Sequence, residues 1–270
     1  MKALRTALIW AIVFVTIYPI LVVIGVSLRP AGSLYSTSLA LIPEGATFDA
    51  YRIVLFEKPF GRWLLNSSLV SLAVTIFGVA LASTAGYAFS RWRFRGRGPG
   101  MVLFLVSQMF PATMLLLPLY VLMRNLELTN SLFGLAIAYS ATALPFCVWT
   151  MKGYFDSIPT SLEEAAFVDG AGHFGAFYRV ILPLSLPGLA ITALFSFMAG
   201  WSEYIVARVM LSSQDLYTLP LGLQSLSAEF QTDWANYSAA AVLVSIPAVV
   251  VFLLLNRYLV SGLTVGGVKD

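Results

Sequence analysis

The feature that most constrains this chain is the spacing of its charged residues, which fall in short clusters separated by long runs without any. A charge at the centre of a bilayer costs at least roughly 2.5–3.5 kcal/mol, and a helix needs about 20 mostly apolar residues to cross. Six uncharged stretches reach that length: Ala7–Leu28, Trp63–Ser90, Gly98–Met123, Leu128–Met151, Val180–Ser202 and Trp234–Asn256. Charged residues make up only 11% of the 270, against roughly 25% in a soluble domain. The expected fold is an all-α, multi-pass integral membrane protein with six spanning helices in a single domain, 1–270. Lys2 and Arg5 precede the first stretch as they would in a secretory leader. Its apolar run exceeds the ~7–15 residues of such leaders, so an uncleaved first helix is expected.

The basic residues orient the spans. Arg91, Arg93, Arg95 and Arg97 follow the second stretch, Lys152 and Arg179 lie between the fourth and fifth, and Lys2, Arg5, Arg257 and Lys269 lie near the ends. With six spans these ten of the sixteen basic residues share one side, which places both termini in the cytoplasm. The arginine cluster is read chiefly as a topology signal, with anionic membrane lipids as a secondary contact.

Several function classes drop out. A net charge of +3 is too small to imply nucleic acid. One cysteine, Cys147, rules out an internal disulfide and any multi-cysteine metal site, and one histidine, His173, leaves little for metal binding or acid–base chemistry. No GxxxxGK[ST] loop exists; Arg95–Gly100 lacks its spacing and its lysine, so the chain is expected not to be an enzyme and not to hydrolyse ATP alone. No Asp, Glu, Lys or Arg lies in the six stretches, which weighs against the alternative of a self-contained secondary transporter of a neutral solute. Pro111, Pro118, Pro145 and Pro247 read equally as kinks around a pathway or as ordinary membrane-helix prolines. Asn66, Ser67, Ser68, Gln108, Ser140, Thr142 and Ser196 are candidates to line a route for hydroxylated solutes, or to bond neighbouring helices.

The segment 152–183 is cytoplasmic in this scheme yet too apolar for a connector. Ser161 with Glu164, or Thr160 with Glu163, can form a capping box, and either places Glu163 and Glu164 in a first helical turn. Ala165 and Ala166 keep that helix slim. Gly170, after Asp169, readily takes the left-handed conformation that ends a helix. Phe174, Phe177, Tyr178 and Ile181 then recur at helical spacing on a second short helix, which Pro183 is expected to stop. The unit reads as a helix–turn–helix offering aromatic residues to a partner.

Glu164-Ala165-Ala166, Gly170 and Val180-Ile181-Leu182-Pro183 resemble the EAA signature of binding-protein-dependent ABC importer permeases, with Val180 where Ile is usual. Trp201-Ser202-Glu203-Tyr204 is similar to the Trp-Asn-Glu-Phe of the carbohydrate branch, with Ser202 for Asn. Thr218–Leu223, Thr232-Asp233-Trp234 and Gly262–Lys269 are similar to its maltose-type permeases. The resemblance implies the type I importer fold in a prokaryotic inner membrane. It also implies a second, paralogous permease, a dimer of ATPases using ATP and Mg2+, and an extracytoplasmic sugar-binding protein. The cargo it implies is a di- or oligosaccharide of maltose or trehalose type. No cofactor or metal is expected on this chain. Glu163, Glu164, Ala165, Ala166, Asp169, Gly170, Phe174, Phe177 and Tyr178 would then couple to the ATPase. Gln214, Tyr217, Gln224 and Phe230 would meet the binding protein.

Overall fold

The computed structural model describes residues 2–30, 42–227 and 232–265, and every regular element among them is helical. In chain order these are α1 (Lys2–Ser27), α2 (Asp49–Arg52) running into a π-helical turn (Ile53–Glu57), α3 (Phe60–Arg91), α4 (Arg97–Met109), α5 (Ala112–Asn125), α6 (Leu132–Ser157) and α7 (Ser161–Val168). Then follow α8 (His173–Ala176) with a π-helical turn (Phe177–Ile181) and α9 (Leu182–Leu184), α10 (Leu186–Trp201), α11 (Ile205–Met210), a 3-10 turn (Gln214–Leu216), α12 (Leu219–Ser225) and α13 (Trp234–Val265).

Helices α1, α3, α6 and α13 are each long and apolar enough to cross a membrane. Two bent pairs complete the six expected spans when each is counted as one. The stretch 98–123 is divided into α4 and α5, whose directions differ by 109°. The cause is local: Phe110, which precedes Pro111, is extended (ψ 131°), because the proline ring crowds a helical conformation out of the preceding residue. Alone, the 13 residues of α4 rise only about 20 Å, short of the ~30 Å hydrocarbon core. The second pair is the helix ending at Leu184 and α10, which turn by 78°. The chain passes Pro183, where a stop is expected, because that residue sits in the first turn of α9, which proline tolerates. It turns instead at Ser185 (φ −92°, ψ 9°).

The helices gather into two compact units. The first comprises Met1–Leu65 and Tyr217–Pro247. In it Ser27 ends α1 by donating to Ile24 O at 2.6 Å, and its hydroxyl lies 2.7 Å from that of Tyr51. Trp63, Leu219 and Leu221 are buried.

The second unit comprises Asn66–Leu216 and Ala248–Asp270, and it carries the segment 152–183. Ala82, Cys147, Met151, Phe155, Phe177 and Ile181 belong to one buried cluster there, which joins α3, α6 and the helix after α8. Gly86 sets the approach of α3 to α6: a Cβ there would lie 2.9 Å from Met151 Cβ and 3.0 Å from Lys152 N. At 32 residues α3 is about 48 Å long, well beyond the ~30 Å of a hydrocarbon core.

Gly86→Val is expected to push α3 from α6 and cost about 1–3 kcal/mol, the range for overpacking. Gly153→Ala, with nothing within 4 Å of the added Cβ, is expected to stabilise α6 by about 0.5–1 kcal/mol. Thermal unfolding of the detergent-solubilised protein should separate the two in opposite directions from wild type.

Candidate coupling site

The site begins where α6 stops. Ile158 precedes Pro159 and is extended (ψ 123°), which frees the chain to turn into α7. Neither capping box is formed. Thr160, the residue before α7, has helical dihedrals (φ −65°, ψ −24°) rather than the extended ones a side-chain cap requires, and its hydroxyl caps nothing.

The carboxylate of Glu163 is instead taken up by the end of α3. Glu163 is 5% exposed. Its Oε1 pairs with Arg91 Nε, and its Oε2 accepts from the Tyr87 hydroxyl at 2.7 Å. Arg91 also donates from Nη2 to Ile158 O (2.9 Å) and from Nη1 to Ser90 Oγ (3.2 Å). Ser90 Oγ in turn donates to Asp156 Oδ1 at 2.6 Å, and Lys152 Nζ pairs with Asp156 Oδ2 at 2.5 Å. One polar network thus ties α3, the end of α6 and α7. Both members of the central pair are largely withdrawn from water, at 10% and 7% side-chain exposure, so deleting either one strands a buried charge.

Beyond Val168 the helix ends in a Schellman turn. Gly170 N–H donates to Phe167 O (3.0 Å) and Ala171 N–H to Ala166 O (2.9 Å), with Gly170 at φ +84°. The expected glycine stop is therefore present at Gly170. Ala166 is buried, while Glu164, Ala165 and Asp169 are exposed.

The aromatic residues separate into two sets. Phe174 and Tyr178 are 81% and 58% exposed. Phe177 does not share that surface: it is buried, 4.6 Å from the Tyr87 ring and 6.3 Å from that of Phe155. The four residues share one helical face, but Phe177 and Ile181, four apart, lie on its inner edge and Phe174 and Tyr178, also four apart, on its outer edge. Phe177 and Ile181 point inward and Phe174 and Tyr178 outward.

The other candidates are scattered. Asn66 donates to Asp215 O at 2.8 Å, Ser140 donates to Ala136 O, and Ser196 lies 3.2 Å from Cys147 Sγ, so these are committed within the protein. Ser67 is buried and Ser68 half-buried. Only Gln108 and Thr142 are exposed, and they meet: Gln108 Nε2 donates to Thr142 O at 3.3 Å. Gln214 is exposed in the second unit; Tyr217 is half-buried and Gln224 exposed in the first. Phe230 lies outside the described residues. Among the described residues no three His, Cys, Asp or Glu are placed to hold a metal. Tyr87 and Arg91 were not singled out by sequence reasoning for this site. Arg91 stands 72 residues from Glu163 in a run of alternating arginines, and nothing local separates it from the other three.

Residues 74–265 match the family described as binding-protein-dependent transport system inner membrane component. The chain is 38% identical to the galactooligosaccharides transport system permease protein GanQ of Bacillus subtilis, over 94% of this chain and 91% of that one. It is 39% identical to the maltose/maltodextrin transport system permease protein MalG of Vibrio parahaemolyticus, over 96% and 93%. Its fold also matches a chain in the crystal structure of a bacterial ABC transporter involved in the import of the acidic polysaccharide alginate. That match has a TM-score of 0.83 and 25% identity, and it covers 95% of each chain.

Arg91→Met and Glu163→Met are each expected to cost about 3–5 kcal/mol locally, while the double variant, which leaves no stranded charge, should cost far less. Amide hydrogen exchange across 161–168 is the readout. The single variants should exchange roughly a hundredfold faster or more, and the double variant should approach wild type.

Proposed function

The chain belongs to the inner-membrane component family of binding-protein-dependent transport systems, and from that premise we propose that it is one permease half of an ATP-driven sugar importer. A second permease completes the pathway, and a pair of ATPase subunits uses ATP and Mg2+. An external binding protein delivers the sugar, with both termini of this chain in the cytoplasm. The cargo is a di- or oligosaccharide, in keeping with the galactooligosaccharide and maltodextrin names of its relatives. This chain itself carries no cofactor.

One observation carries the coupling role: an exposed aromatic pair, Phe174 and Tyr178, stands beyond a turn whose preceding helix is locked to a membrane span by a buried ion pair. A docked ATPase that moves this pair moves α3 with it. A self-contained transporter has no use for such a surface. Glu164, Ala165, Asp169 and Gly170 lie on the same exposed element and would meet the ATPase beside the two rings. Phe177 would act from beneath, holding the element to the core.

Phe174→Ala is expected to leave thermal stability unchanged while the ATPase subunit no longer co-purifies. Phe177→Ala, which empties a buried site, is expected to cost about 3–5 kcal/mol. Co-purification and thermal unfolding on both variants check the pair. Retention of the ATPase by Phe174→Ala at wild-type level would remove the docking role.

A further inference from the structure

Helix ends at membrane depth leave backbone groups that lipid cannot satisfy, so such breaks are tolerated only where buried in protein or facing a water-filled cavity. The break between α4 and α5 is exposed, with Phe110 54% accessible. It borders an open cavity of about 600 Å³, lined also by Gln108, Thr142 and Pro145. Thr142 lines a second open cavity, of about 520 Å³, with Phe195, Ala199, Ser202 and Glu203. Both lie within the second compact unit.

The polar atoms along this stripe have a common character. Thr142 Oγ1 donates to Tyr139 O at 2.9 Å, and Ser202 Oγ donates to Met198 O at 2.7 Å. Each hydroxyl spends its proton on its own helix and keeps lone pairs to offer. The Glu203 carboxylate accepts the Val206 and Ala207 N–H groups at 3.0–3.3 Å and, with two oxygens, retains acceptor capacity. Phe195, packed at 4.0 Å between ring centroids on Phe146, adds an aromatic ring. Among the described residues no Lys or Arg lines either cavity.

We propose that this stripe binds a neutral, hydroxyl-rich sugar directly and disfavours acidic ones. Sugar hydroxyls donate to Thr142, Ser202 and Glu203, and a C–H face of the ring lies on Phe195. A uronate would set its own carboxylate near Glu203 with no lining cation to offset it, and such like-charge placement is how a site rejects a wrong ligand. The inference rests on the permease reading above and adds to it that this chain touches the cargo and helps select it.

The test uses the detergent-solubilised complex with its ATPase and second permease, carrying a single added thiol by Ala199→Cys; the native Cys147 is buried. Binding-protein-stimulated ATP hydrolysis is measured first and reports on the permease reading alone. Maleimide labelling is then followed with maltotriose, raffinose, triacetylchitotriose or trigalacturonate present, and Ile205→Cys, exposed in the same cavity, serves as a second reporter should Ala199→Cys disturb folding. The expected result is protection by at least one neutral trisaccharide and none by trigalacturonate. Adding Phe195→Leu should raise the half-protecting concentration about tenfold. Protection by trigalacturonate, or by none of the four in a complex whose ATP hydrolysis is stimulated, overturns the lining assignment and leaves the permease reading standing.

Discussion

Arg91 and Glu163 leave water together, and the arrangement of the segment 152–183 follows from where they meet. α7 has eight residues, too few to hold helical form unaided. Its attachment comes from Glu163, bound by the guanidinium of Arg91 and the hydroxyl of Tyr87 at the end of α3. α3 is longer than a bilayer core requires, and Tyr87 and Arg91 lie in its last turns. The same guanidinium holds Ile158 O at the end of α6, so three elements share one charged centre. Desolvating such a pair is expensive, and its net worth to stability is small when both partners are present. What it supplies is position, since neither partner tolerates separation.

Much of this could be read before any fold was known. The uncharged runs marked the spans because a bilayer tolerates few alternatives, and Gly170 marked the turn because few other residues take positive φ there. Three things could not be read. The partner of Glu163 is remote in sequence, and Arg91 looks like its neighbours Arg93, Arg95 and Arg97 until the fold brings it to α7. The capping box does not form because Thr160 follows a proline-directed turn and adopts helical dihedrals in place of the extended ones a side-chain cap requires. Helical spacing groups Phe177 with Phe174 and Tyr178, and only the packing onto Tyr87 and Phe155 shows that Phe177 lies on the inner edge of that face.

The prolines illustrate the same limit. Pro145 and Pro247 sit inside continuous helices, whereas Pro111 divides its stretch in two. Sequence alone gives these the same weight. The difference lies in what surrounds the freed backbone: at Phe110 the chain opens onto a cavity with Gln108 and Thr142, so a break there can be hydrated. The two polar candidates that remain exposed are thus the pair beside the break, while Asn66, Ser140 and Ser196 serve the packing of the protein itself.

The central claim is that the turn at Gly170 aims an exposed aromatic pair from a rigidly anchored element. Nothing lies within 4 Å of a Cβ at Gly170, which has φ +84°, so a side chain there meets no neighbour. Valine would instead have to hold a left-handed backbone at about 1–2 kcal/mol or re-aim the chain beyond it. Sugar uptake by reconstituted complexes carrying Gly170→Val, normalised to protein in the membrane, is the most direct measurement. Normal abundance with uptake abolished is the predicted result. Uptake at the wild-type rate would contradict the claim.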